Sequence, residues 1–251
     1  MRKSLLLLTL VPLTSSCTGF PISRNDALGV IDSIEQNIVN VVATSYTSTR
    51  ETYLNDDQTT VVSIYNREEK FFHTYSIYTK NNGRLEESWK FVMNYEYQTV
   101  NNGVTTTAFR NFIFDVTRST TPSGINAEDS KKYIVTYELY SDEAWAKYAS
   151  EYENRLSNNL SDALNSSRAL IKDETNTIDL KSLNKTSLYL NCQRSIVGST
   201  TKKSEYELEV QNGRLVSVRN DRSENDRSEL SYKYSTGDVV YPAFETKILI
   251  Q

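Results

Sequence analysis

Two thiols, one imidazole and scattered carboxylates are what this sequence offers for nucleophilic or acid–base chemistry. Cys17 and Cys192 are its two cysteines and His73 is its one histidine. A catalytic thiol needs an imidazole beside it to take its proton, and zinc sites need several nitrogen or sulfur ligands. A single histidine therefore removes most general-base schemes and most zinc sites. His73 lies in Phe71-Phe72-His73-Thr74-Tyr75, where alternation makes it a strand-surface or pocket residue. Cys192 alternates with leucines in Leu188-Tyr189-Leu190-Asn191-Cys192 and reads as a small buried apolar residue. The acidic pairs Asp56-Asp57 and Glu68-Glu69 fall in expected turns, where solvated charges are the ordinary outcome. A glycosidase pair would need a fixed separation across a cleft, which sequence spacing does not supply. No nucleophile elbow, P-loop or dinucleotide fingerprint follows a strand. The residues point away from an enzyme, and they call for no metal and no cofactor.

Cys17 differs because of what precedes it. Arg2 and Lys3 form a basic start, Leu5 to Val11 an apolar run, and Thr14-Ser15-Ser16 a set of small residues. That is the layout of an export signal, and its apolar part is too short to remain as a membrane-spanning helix. A cysteine directly after small residues resembles the lipobox of bacterial lipoproteins, with Thr14 in the place of the usual leucine and Leu13 one position further back. The resemblance implies that residues 1–16 are removed, that Cys17 carries a diacylglyceryl group and further acylation such as palmitate, and that residues 17–22 are a lipidated tether. The protein would then sit on the extracytoplasmic face of the cell membrane. Two acyl chains anchor stably where one holds weakly, at about 0.8 kcal/mol per buried methylene. An ordinary secretory signal is the alternative, since Thr14 and Ser16 also suit that peptidase.

The 251 residues behind and including this leader are 38% hydrophobic and 24% charged, with 8 Gly and 4 Pro, proportions of a folded domain rather than a disordered stalk. The net charge of −4 and the lack of a basic block disfavour nucleic-acid binding. Seventeen tyrosines among many Thr, Val and Ser favour β-structure. With Cys17 lipidated, Cys192 has no disulfide partner, so an ordinary hydrophobic core must hold the fold.

The chain order follows from periodicity. Ser23 with Asp26 resembles a capping box, and Ala27, Leu28, Ile31, Ile34 and Ile38 recur at helical spacing, predicting a helix that ends near Val41. Strands are expected over Thr59–Tyr65 and Phe71–Thr79, then a turn at Asn81-Asn82-Gly83. Trp89, Phe91, Met93, Tyr95 and Tyr97 follow in strict alternation, the mark of a sheet with one covered face. Asn101-Asn102-Gly103 turns the chain into Thr105–Val116, and Tyr133, Val135, Tyr137 and Leu139 form another strand after a polar interruption at Ser119–Lys132. From Ser141 the period changes: Trp145, Tyr148, Tyr152, Leu156, Leu160 and Leu164 predict an amphipathic helix, with a break allowed at Asn158-Asn159. Strands resume at Leu188–Val197, Tyr206–Val210 and Leu215–Arg219, then Leu230, Tyr232 and Tyr234 follow a charged stretch, Asn220–Glu229, that reads as a solvated loop.

This order is similar to the LolA/LolB-like fold and the related LppX/LprG-type lipoproteins. The likeness rests on the opening helix Asn25–Ile38 and on the closing run Glu205–Val210, Asn212-Gly213-Arg214-Leu215, Glu229–Tyr234 and Asp238–Pro242. It implies an α+β fold: one domain over residues 23–251, a strongly curved antiparallel half-barrel with helices packed in its concave face. It further implies an apolar cavity in which Trp89, Phe91, Met93, Phe112, Phe114 and Trp145 line a site for a lipid or other apolar ligand. The competing reading uses the same residues as core and makes the protein a surface interaction module without a ligand.

Overall fold

The structure, a computed structural model, describes residues 19–38, 45–80, 85–120, 132–195, 203–223 and 225–250. Its elements in chain order are β1 (Phe20–Pro21), α1 (Arg24–Glu35), β2 (Ser45–Leu54), β3 (Asp57–Asn66), β4 (Phe71–Thr79), β5 (Leu85–Asn101), β6 (Val104–Thr120) and β7 (Ile134–Leu139). Then come α2 (Asp142–Lys172), β8 (Thr177–Asn184), β9 (Ser187–Ser195), β10 (Lys203–Gln211), β11 (Arg214–Ser223), β12 (Asp226–Lys233) and β13 (Ile248–Ile250). The leader, Cys17 and the Asn81-Asn82-Gly83 turn lie outside the described residues.

Local chemistry sets most boundaries. Ser23 and Asp26 close a reciprocal capping box at the start of α1. Asn102 and Gly103, and again Asn212 and Gly213, take the positive φ values of tight hairpins (49° and 76°, 50° and 76°), which Asn and Gly tolerate best. The α2 helix starts at a Ser141 cap, carries Asp142 and Glu143 at its positive end and Lys172 at its negative end, and contains neither Gly nor Pro. It runs unbroken through Asn158-Asn159. Asn159 donates to the Tyr232 hydroxyl at 2.7 Å and accepts from Arg50 at 2.9 Å, so its amide does not compete with the helix backbone.

The thirteen strands form one open sheet in the order β1-β8-β9-β10-β11-β12-β2-β3-β4-β5-β6-β7, antiparallel along that path, with β13 added in parallel on β5. Of the described residues, 57% are strand and 22% helix. This corrects the expected half-barrel with helices packed in its concave face: the sheet does not close, and its two helices are not packed in a concavity. The α2 helix, about 46 Å long at 1.5 Å per residue, crosses one face from β7, where Tyr148 donates to Glu138, to β10, where the Tyr206 hydroxyl donates to the Ala163 carbonyl. Beneath it Trp145 stacks on Tyr65, Tyr152 stacks on Tyr65, and Leu156, Leu160 and Leu164 are buried. The buried α1 residues Ala27, Ile31 and Ile34 join the same core.

The back face has a different cover. After β12 the chain runs from Ser235 to Ile250 across β2, β3, β4 and β5. The Thr47 hydroxyl donates to the Ser235 carbonyl, Tyr241 meets His73 and Phe91, Phe244 meets Phe91, Tyr95 and Phe114, and β13 ends beside Tyr97–Thr99. A second aromatic core, distinct from the one under α2, is closed this way.

Other expectations shift. The α1 helix ends at Glu35 with Gln36 as its C-cap, short of Val41. The charged stretch Asn220–Glu229 is mostly ladder: β11 continues to Ser223 and β12 begins at Asp226, because opposite charges such as Arg222 and Asp226 meet there. Strands β1, β2, β8 and β13 are additional, β1 lying within the stretch expected as tether and pairing with β8. Polar Thr, Ser, Arg and Glu fill β2 (Ser-Tyr-Thr-Ser-Thr-Arg-Glu-Thr-Tyr-Leu), and it becomes a central strand through pairing with β3 and β12.

Candidate functional site

The residues expected to line an apolar cavity divide between the two faces of the sheet. Trp89, Phe91 and Met93 on β5, with Phe112 and Phe114 on β6, share the back face. Trp145 lies on the other side, stacked on Tyr65 and Phe72. Phe91 and Phe114 are fully buried, with ring centroids 5.5 Å apart, and Phe244 of the C-terminal segment packs onto both. The wall is therefore filled by the chain itself.

The isolated polar groups are each accounted for by packing. His73 is 1% exposed, and its Nε2 meets the Val240 carbonyl at 2.9 Å. Burial lowers its pKa from the ordinary 6.5 to about 4, so the neutral ring is the donor to Val240. Cys192 is buried on the α2 face, and that burial raises its thiol pKa. At the end of the back-face core Glu87, 8% exposed, accepts from the Tyr75 hydroxyl at 3.0 Å and from Arg118 Nε at 2.7 Å, while Arg118 lies 5.3 Å from the Tyr133 ring. Sequence reading missed this pair, since Glu87 and Arg118 become neighbours only when β5 and β6 pair in register. A pocket of about 270 Å³ beside them is lined by the hydroxyls of Ser76, Ser88, Thr117 and Ser119, and it holds no imidazole to activate one. Among the described residues no three His, Cys, Asp or Glu side chains gather to hold a metal ion, and no helix is long and apolar enough to cross a membrane.

Two other surface features bear on binding. A polar cleft of about 330 Å³ lies between α2 and the ends of β2, β11 and β12, lined by Arg50, Asn159, Asp162, Asn220, Arg222 and Glu229 among others. Its charges balance, and no base–nucleophile arrangement lies in it.

The second is the sheet edge at β7. This strand pairs with β6 over Phe112–Thr117, and no strand covers its outer side among the described residues. Ile134 is 70% exposed, with Tyr137 and Leu139 also exposed. Beyond β7 the free edge continues along Val104–Arg110 of β6, whose residues are exposed and include Phe109 at 66%. Exposed edges in folded proteins are usually guarded by lysine, proline or a bulge. The run Ile134-Val135-Thr136-Tyr137-Glu138-Leu139 has no lysine, proline or bulge, and its one charge is Glu138. That absence was available in the sequence, but only strand order reveals which strand is the edge.

No family model and no curated protein matches this chain.

Proposed function

We propose that the protein is a non-enzymatic interaction module tethered to the extracytoplasmic face of a membrane through lipid on Cys17, and that it engages a protein partner by strand addition at β7. One observation carries the reading: among the described residues β7 is an open sheet edge, continuous into the projecting end of β6, with Ile134, Tyr137, Leu139 and Phe109 exposed along it. An extended segment laid along this edge would satisfy the outward N–H and C=O groups and seat apolar side chains beside Ile134, Tyr137 and Leu139. Transport of a lipid or other apolar ligand is less well supported, because the side chains expected to hold it are occupied by Tyr241, Phe244 and Ile248.

Photo-crosslinking amino acids at Phe109 and Tyr137 of the full-length protein, in intact cells, test this. Discrete protein adducts at both positions are expected, with none from a probe at Asn165 on the exposed side of α2. Adducts to lipid alone, or equal labelling from Asn165, would overturn the reading.

A further inference from the structure

The C-terminal segment is a cover with few fastenings. Besides its packed side chains it is held by Thr47 donating to the Ser235 carbonyl at 2.9 Å, by Asn66 donating to the Thr236 hydroxyl at 3.4 Å, by His73 at the Val240 carbonyl, by the Tyr95 hydroxyl at the Thr246 carbonyl (3.4 Å), and by the three residues of β13. From 238 to 247 it has no regular secondary structure, so no cooperative ladder holds it. The strands beneath are locked on both sides: β4 pairs along its length with β3 and β5.

His73 lies under the middle of this cover. The Phe91 ring is 5.8 Å away and the Tyr241 ring 5.5 Å away, edge-on. Its Nδ1 is buried without a hydrogen-bond partner. The facing neighbour on β3 is Ile64 and on β5 is Phe91, both apolar. From the C-terminal segment the titratable side chain that meets the ring is Tyr241. On β4 itself the next residue on that face is Tyr75, whose hydroxyl is already given to Glu87. Among the described residues no carboxylate is hydrogen-bonded to the ring. Protonation would create a second N–H with no acceptor and a charge with no counterion, in apolar surroundings. Admitting water from below would break two ladders, whereas admitting it from above requires only that the strap lift.

We propose that residues 237–250 are an acid-releasable strap: closed while His73 is neutral, and lifted when the ring takes a proton, uncovering the aromatic face of Phe91, Tyr95 and Phe114. This device is independent of the strand-addition reading above. Its acid-base balance is simple, as the proton comes from solvent onto Nδ1 and returns there on closing.

Hydrogen exchange of the full-length protein, corrected for the intrinsic pH dependence of exchange, tests it. Between pH 7 and pH 4.5 the protection of the β13 amides, Ile248–Ile250, which pair with β5, should fall at least tenfold while α2 amides keep theirs. In His73→Phe and His73→Gln the strap should show no such fall; the glutamine variant retains a donor for Val240 without a titrating charge. On the unaltered protein, an NMR titration should give the His73 ring and the strap amides one shared midpoint. A strap indifferent to pH, a loss shared with α2, an undiminished loss in either variant, or separate midpoints would each overturn the proposal.

Discussion

The guanidinium of Arg24, the first residue of α1, donates to the carbonyl of Ile171 in the last turn of α2 at 2.6 Å. The same side chain reaches the carbonyls of Asp173 at 2.9 Å and Asn176 at 2.8 Å. A helix end leaves carbonyls without partners inside the helix, and here a cation 147 positions away in sequence satisfies them. The Arg168 salt bridges to Asp32 and Glu35 join the same two helices.

Replacing Arg24 with Ala should therefore destabilise the fold by about 2–3 kcal/mol, the range for removing charged hydrogen bonds to part-buried acceptors. Arg24→Lys should recover less than half, since an ammonium group does not match the planar fork. Urea unfolding checks this, with an unchanged slope showing that the effect lies in stability.

Glu87 and Arg118 should behave as a buried pair. Glu87→Ala leaves the guanidinium without its counter-charge and should cost about 3 kcal/mol, at the lower end of the usual range because Arg118 keeps some exposure. The double variant Glu87→Leu, Arg118→Met should cost less than that single change. A double-mutant cycle decides the point; additive losses would mean the two groups do not interact.

Acid should weaken the protein through His73. The unfolded ring takes its proton near pH 6.5, the folded ring only near 4. Below 6.5 the unfolded state therefore binds more protons, and stability falls with pH until about 4, where this contribution levels off. At 1.36 kcal/mol per pKa unit the full effect is about 3 kcal/mol, an upper limit where the strap opens first. Melting temperatures across pH 4 to 7 should show this slope in the native chain and lose it in His73→Phe.

Neither cysteine should react in the native, membrane-bound protein. Cys192 is buried and its thiol pKa is raised, so little thiolate forms at neutral pH. Cys17, if acylated as proposed, has no free thiol. A maleimide reagent should label one site per chain, and only after denaturation. Cys17→Ser should move the protein from the membrane pellet to the soluble fraction.

Much of the local structure was legible. Ser23 with Asp26 marked a helix start, Asn102-Gly103 and Asn212-Gly213 marked hairpins, and alternation from Trp89 to Tyr97 marked a strand, because caps, turns and side-chain period act over a few residues. The helix from Ser141 was legible too, although its continuity past Asn159 depends on Tyr232 and Arg50.

What the sequence by itself determined was that the odd residues of β5 needed an apolar cover. Only the tertiary structure decided what that cover is. A period of two states that alternate side chains share a face, but it carries no sign telling one face from the other. Trp89, Phe91 and Met93 could have met α2, yet Thr74, Lys90 and Val92 face it, and the aromatic row meets Tyr241 and Phe244 instead. Strand order, and with it the exposure of β7, arises from pairings such as β12 with β2, some 180 residues apart. Such choices follow from the summed burial of many distant side chains, which no local stretch of sequence contains.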